Sequence, residues 1–247
     1  MRSDPVEYAR RVVLDLFPDA PAAWLGGSVV RGEATSTSDL DITVLLPGPP
    51  APYRHSMWVE EWPIELFVHT ETSLDHYRAV DRARRQPSIM RLVGESVVLV
   101  DRDGSGARLQ RQLADEVVAG PRPLTEVELA SARYVVTDLL MDLEGTEQAD
   151  DRVAVASRLW EEAAALLLTG AGCWTGTGKG LVRELRGYDR ATGSTYLPAL
   201  MDGLRGALAA EIGPLVAVCD EILSAQGGRL FDGHRLGGVD PGLGPAL

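Results

Sequence analysis

Apolar residues recur at helical spacing from the start of the chain. Val6, Ala9, Val13 and Leu16 share one face, so residues 5–16 read as an amphipathic helix, ended by Pro18 and Pro21. Ala22 to Leu25 is a short strand that runs into Gly26-Gly27. Residues 28–32 open a short helix, and 33–37 read as a loop. Leu40 to Leu46 is a strong strand closed by Pro47-Gly48-Pro49-Pro50. Trp62 to Val68 is another strand, and no element is assigned between residues 51 and 61. Residues 73–86 are helical and broken by Pro87, with a second short helix running to Val93. Ser96 to Val100 is β-branched and apolar and reads as a strand, and 107–119 as a helix.

Gly120-Pro121-Arg122-Pro123 interrupts this mixed pattern, and the chain beyond it is helical. Helices are expected at 125–144, 150–168, 179–187, 195–209 and 211–225, the first opened by a capping box at Thr125-Glu126-Val127-Glu128. After Gln226 the tail is rich in Gly and Pro and reads as irregular. No internal repeat is visible. The expected fold class is α+β: a mixed sheet with helices over residues 1–120, followed by a helical bundle over 121–247.

Composition narrows the function classes. With 247 residues and 45% apolar content, the chain suits one large or two modest globular domains. No apolar run approaches the roughly 20 residues of a membrane span, and Met1 to Pro5 lacks the apolar core of a signal peptide. Cys173 and Cys219 supply neither a metal cluster nor a disulfide framework. A cytoplasmic protein that engages no membrane is expected. The net charge of −12 speaks against a nucleic-acid partner, which needs clustered Lys and Arg; a cationic or neutral small substrate fits it better. The basic run from Arg78 to Arg85 reads as a solvated helix face.

Candidate chemistry concentrates between residues 26 and 65. Gly26-Gly27-Ser28 is followed by Ser38-Asp39-Leu40-Asp41 at the head of an apolar strand. Residues two apart on a strand share a face, so Asp39 and Asp41 point into one small volume. Two ionised carboxylates that close repel, and a divalent cation relieves the repulsion. The strand Trp62 to Val68 carries one acidic residue, Glu65, inside an apolar run, where a charge is costly unless paired or metal-bound. A glycine-serine turn can offer N–H groups and a hydroxyl to a phosphate.

The pattern Gly-Gly-Ser…Ser-Asp-Leu-Asp, with Glu65 on a following strand, resembles the DNA polymerase β-like nucleotidyltransferase superfamily. The likeness covers residues 22–70 well and 71–100 loosely, and Val29 after the serine departs from the pattern. The helical half looks similar, in general outline, to the small-molecule branch that includes aminoglycoside nucleotidyltransferases. The resemblance implies that Gly26, Gly27 and Ser28 hold the phosphates of a nucleoside triphosphate such as ATP. It implies that Ser38 donates to a phosphate and Arg31 neutralises phosphate charge. Asp39 and Asp41 would bind two Mg²⁺ ions, with Glu65 ligating one of them and taking the proton from the acceptor. Transfer of a nucleoside monophosphate to a hydroxyl of a small molecule would follow, with an aminoglycoside-like antibiotic as acceptor and antibiotic resistance as outcome. Nucleotidylation of a protein, and a catalytically inactive nucleotide-binding module, are the alternatives.

The second half holds two further candidates and a decoy. Gly176-Thr177-Gly178-Lys179-Gly180 lacks the Walker A spacing, since position 173 is Cys and position 180 is Gly. It reads as a helix-joining loop. Lys179 nonetheless stands where similar two-domain transferases reach the triphosphate. Glu162 interrupts the apolar stripe of Leu159 and Leu166, with Glu161 placed nearer Arg158. Glu162 is a rival to Glu65 as general base, or a contact for a substrate ammonium. His55, His69, His76 and His234 lack metal-ligand spacing. His69 shares strand parity with Glu65 if the strand continues, which would put it at the edge of the site; a surface role is the preferred reading.

Overall fold

The computed structural model describes residues 4–235. The chain divides into two compact units, Met1–Pro121 and Arg122–Leu247. No described helix is long and apolar enough to cross a membrane.

The first unit is built on helix α1 (Pro5–Leu16) and five strands: β1 (Ala22–Gly26), β2 (Leu40–Leu45), β3 (Tyr53–Val59), β4 (Trp62–His69) and β5 (Val97–Asp101). The sheet order is β3-β4-β2-β1-β5. It is mixed: β2 and β4 run parallel, and every other pair is antiparallel. Asp4 caps α1 by accepting from the N–H groups of Val6 and Glu7 at 3.0 and 2.9 Å. This satisfies two of the donors that a helix start leaves without intrahelical partners. Tyr8, Ala9, Val12 and Val13 of α1 pack on one face of the sheet against Leu25, Leu40, Ile42, Val44, Ile64, Leu66 and Val68. The period-2 burial along β4 follows from that face being dry and the other partly open.

The second face is partly covered by short helices. These are α2 (Gly27–Val30), α3 (Glu71–Arg84), α4 (Ser88–Gly94) and α5 (Ser105–Ala119). Met90, Val93, Leu109 and Leu113 are buried there, and Trp24 Nε1 donates to the Gly106 carbonyl at 3.2 Å. Helix α4 has no capping side chain of its own. Asp81 of α3 serves instead, accepting from the Met90 N–H at 3.0 Å.

Strand β3 is absent from the sequence expectation. Its residues are mostly exposed, because it is an edge strand with a single neighbour, so no hydrophobic alternation marks it. Pairing with β4, from Tyr53↔Val68 to Val59↔Trp62, makes it a strand.

The second unit contains α6 (Glu126–Gly145), α7 (Ala149–Gly170), α8 (Lys179–Thr192), α9 (Tyr196–Leu208) and α10 (Gly213–Ala225). Helix α7 packs against each of the other four. The core gathers Val136, Leu140, Leu159, Leu166, Leu200 and Ile222. Thr125 and Glu128 form the expected capping box. Asp189 ties α8 to α9 by accepting from the N–H groups of Tyr196 and Leu197 at 2.9 and 2.8 Å. Arg229 joins Glu144 to Asp220. Residues 226–235 of the tail contain no helix or strand; residues 236–247 of it lie outside the described residues.

Candidate active site

Strand register builds the site. Gly26 stands opposite Asp41, Asp41 opposite Glu65, and Glu65 opposite Ser56. Directly opposed residues project to one side of a sheet, so these four form a transverse row on the face away from α1. Asp39 lies just ahead of β2, two residues from Asp41. Ligand oxygens of Asp39, Asp41 and Glu65 all fall within 4.8 Å of one another. Three hard oxygen donors at that spacing suit Mg²⁺ or a similar divalent cation, which takes carboxylates together with water and phosphate oxygens. The residues present therefore fit a metal.

The electrostatics agree with that fit. The Asp41 pKa is pushed up to about 6, first by burial and then by the charges of Asp39 and Glu65; Arg31 and Arg54 oppose the shift. Clustered, partly desolvated carboxylates are costly without a cation. Arg54 and Glu65 form an ion pair, with the Arg54 side chain 59% exposed and Glu65 24%.

The glycine-serine turn is shaped by the carboxylates as well as by any phosphate. Gly27 has φ +78°, and a Cβ there would lie 1.9 Å from Asp41 Oδ2. Only glycine fits that backbone and that approach. At Gly26 a Cβ would lie 2.6 Å from the Leu92 carbonyl oxygen of α4. Ser28 Oγ donates to Ser38 Oγ at 3.2 Å, and Ser38 Oγ accepts from the Thr35 N–H at 2.8 Å. The two candidate phosphate hydroxyls thus stand side by side. Arg31 pairs with Glu33 at 3.0 Å while its charge is felt at Asp41.

Two groups on this face escaped sequence reasoning. Arg54 and Ser56 come from β3, and Ser56 Oγ donates to Glu65 Oε1 at 3.5 Å. Trp58, next on the same face, is 73% exposed. No apolar period marks residues 53–59, so local pattern gives no signal for either. His69 shares the face of Glu65, as parity predicts, but it is buried and not at the surface. Burial lowers its pKa, and Nδ1 lies 3.2 Å from Ser73 Oγ.

Glu162 and Lys179 belong to the second unit. Glu162 sits on α7 and pairs with Arg158, whose contact to Glu161 is longer, at 4.0 Å. The expected closeness of Arg158 to Glu161 is thus corrected: both lie one turn away, and the i,i+4 partner is favoured. Lys179 is the exposed first residue of α8.

Residues 6–80 match the nucleotidyltransferase domain family. These residues are a nucleotidyltransferase domain, in keeping with the polymerase β-like superfamily that the Gly-Gly-Ser and Asp-Leu-Asp motif resembles. The matched span contains the glycine-serine turn, all three carboxylates and Arg54, and nucleotidyl transfer is the chemistry of such a domain. A nucleotidyltransferase-like protein from Exiguobacterium sibiricum 255-15 is similar over 88% of this chain and 79% of its own, at 14% identity and a TM-score of 0.40. No curated protein matches the chain.

Proposed function

We propose that this nucleotidyltransferase moves a nucleoside monophosphate from a nucleoside triphosphate to a hydroxyl group of a small molecule. The observation that carries the reading is the row Gly26–Asp41–Glu65, with Asp39 beside it and two serine hydroxyls at its β1 end. It gathers carboxylates for a cation, donors for phosphate oxygens and a carboxylate for a proton within one nucleotidyltransferase domain.

Asp39, Asp41 and Glu65 would hold two Mg²⁺ ions, which supply charge neutralisation at the triphosphate and acidify the acceptor hydroxyl. Ser28, Ser38 and the Gly27 backbone orient the β- and γ-phosphates. Arg31 lends positive charge on that side. Glu65, held by Arg54 and Ser56, accepts the acceptor's proton. Lys179 and Glu162 are assigned to triphosphate binding and acceptor binding from the helical unit. ATP is the donor of first choice, and an aminoglycoside-like acceptor is the class that the sequence resemblance implies.

The test is transfer of label from α-³²P nucleoside triphosphates onto a panel of hydroxyl compounds, with and without Mg²⁺. Metal-dependent label on a small molecule is expected. Label on added protein alone, or none on any acceptor, would remove the small-molecule reading.

A further inference from the structure

The face that carries the carboxylates continues into a cavity of about 630 Å³ between the β3–β4 edge and helices α3 and α4. Phe67 and His69 form its floor, two and four residues along β4 from Glu65. Tyr77 and Val80 of α3 form a wall. Arg54 is shared: it lines the cavity, lies over the Phe67 ring at 5.1 Å and pairs with Glu65.

We infer that this cavity receives the body of the acceptor, and that it selects an uncharged, ring-bearing hydroxyl compound over a polyamine. The inference rests on the nucleotidyl-transfer reading and replaces the aminoglycoside-like acceptor that the sequence resemblance implies with an uncharged one. In-line displacement at phosphorus puts the attacking oxygen opposite the leaving pyrophosphate. The phosphate-holding turn follows β1, on one side of Asp41; Glu65 and Arg54 lie on the other, toward β4 and β3. An attacking hydroxyl therefore comes from over β4 and β3, the side on which the cavity lies, lined by Arg54, the ion-pair partner of Glu65, and by Phe67, two residues along β4 from it.

The lining sets the chemical class. Aromatic and aliphatic walls offer flat faces for a ring. The charged groups in the lining are two guanidiniums, Arg54 and Arg84, and one carboxylate, Asp81. Asp81 is 8% exposed and already caps α4 at Met90, so it is committed to the backbone. The other titratable lining groups are His69, His76, Tyr53 and Tyr77, residue types that carry no negative charge near neutral pH. Within the lining a polyamino compound would meet two cations and one carboxylate already bound to backbone; the nearby carboxylates, Asp39, Asp41 and Glu65, are the ones assigned to the metal.

The experiment is binding and label transfer with two probe sets on the full-length protein. One set is uncharged (aryl glucosides, phenols, cyclitols), the other polyamino (kanamycin, neamine). Mg²⁺–nucleotide affinity is measured in parallel by calorimetry. The uncharged set is expected to bind and to accept label. Val80→Trp, which fills the cavity, should weaken that binding at least tenfold and leave nucleotide affinity within twofold. Tyr77, 45% exposed, supplies a milder variant, Tyr77→Ala, should Val80→Trp fail to fold. Arg84→Glu should shift preference toward the polyamino set. Preference of the parent protein for the polyamino set would overturn the assignment. So would ring binding that survives Val80→Trp in a folded variant, or a loss of nucleotide affinity in its place, which would make the cavity a nucleobase site. A parent protein that binds ring compounds but no Mg²⁺–nucleotide would overturn the transfer reading itself.

Discussion

Asp41 lies between Asp39 and Glu65 with much of its hydration removed, and its pKa stands near 6 against an ordinary value of 3.8. At Asp41 the folded, metal-free protein thus binds more protons than the unfolded chain between about pH 4 and 6. The contribution of this carboxyl to stability falls as pH rises through that window. A shift of about two units corresponds to roughly 3 kcal/mol of penalty above pH 6. Asp81, also raised to about 6 by burial, works in the same direction. Asp41→Asn should therefore raise the melting temperature of metal-free protein at pH 7.5, by about 1–3 kcal/mol of stability, while abolishing Mg²⁺-dependent turnover. Melting curves with and without Mg²⁺ check both halves, and a variant that melts below the parent without metal would contradict the charge argument. Ser28 makes a different claim. Its hydroxyl would touch phosphate in ground and transition states alike, so Ser28→Ala should act on KM more than on kcat. The effect should be about 1–3 kcal/mol, as for a hydrogen bond to a charged group. Unchanged nucleotide affinity by calorimetry would place Ser28 outside the site.

At the scale of elements, the turn between β1 and α2 does two jobs. It aims Ser28 at Ser38, and it lets Asp41 fold against the backbone of Gly27. Gly27→Ala meets both a left-handed φ and an overlap with the Asp41 carboxylate. The backbone cost alone is about 1–2 kcal/mol, and relief requires Asp41 to move. We expect lower stability together with weakened Mg²⁺ binding, read by chemical denaturation and by Mg²⁺ titration of nucleotide affinity. Full Mg²⁺ affinity in a folded Gly27→Ala protein would show that the turn tolerates a side chain. Strand β3 matters for a related reason: as the edge beside β4, it brings Arg54 and Ser56 to Glu65.

For the whole molecule the question is which unit supplies the general base. Glu65 lies in the carboxylate cluster of the first unit; Glu162 lies on α7 of the second and is paired with Arg158. Glu65→Gln should collapse kcat by about 10²–10⁴, the usual scale of general acid–base catalysis, with any damage to metal binding added. Glu162→Gln should chiefly change acceptor KM. Steady-state kinetics of both variants with one identified acceptor decide it: loss of kcat in Glu162→Gln with most of it kept in Glu65→Gln would move the base to the helical unit.

Much of this was legible in the sequence. The apolar periods of α1, β2, β4 and α6 to α10 are local properties of the chain. So is the i,i+2 spacing that puts Asp39 and Asp41 in one volume. Glu65 could be singled out because a lone acid in an apolar strand demands a partner. What local pattern cannot carry is register. Whether Glu65 stands opposite Asp41 depends on the parallel pairing of β2 with β4, across a connection that contains another strand. That pairing also sets the burial that raises the Asp41 pKa. Edge strand β3 buries too little to show a period, so Arg54 and Ser56 became visible only once β4 gave them a place. His69 has the parity of the site, but its burial comes from packing near α3, where Ser73 meets its ring. The sequence determined which residues could do the chemistry; long-range strand pairing decided which of them share one row.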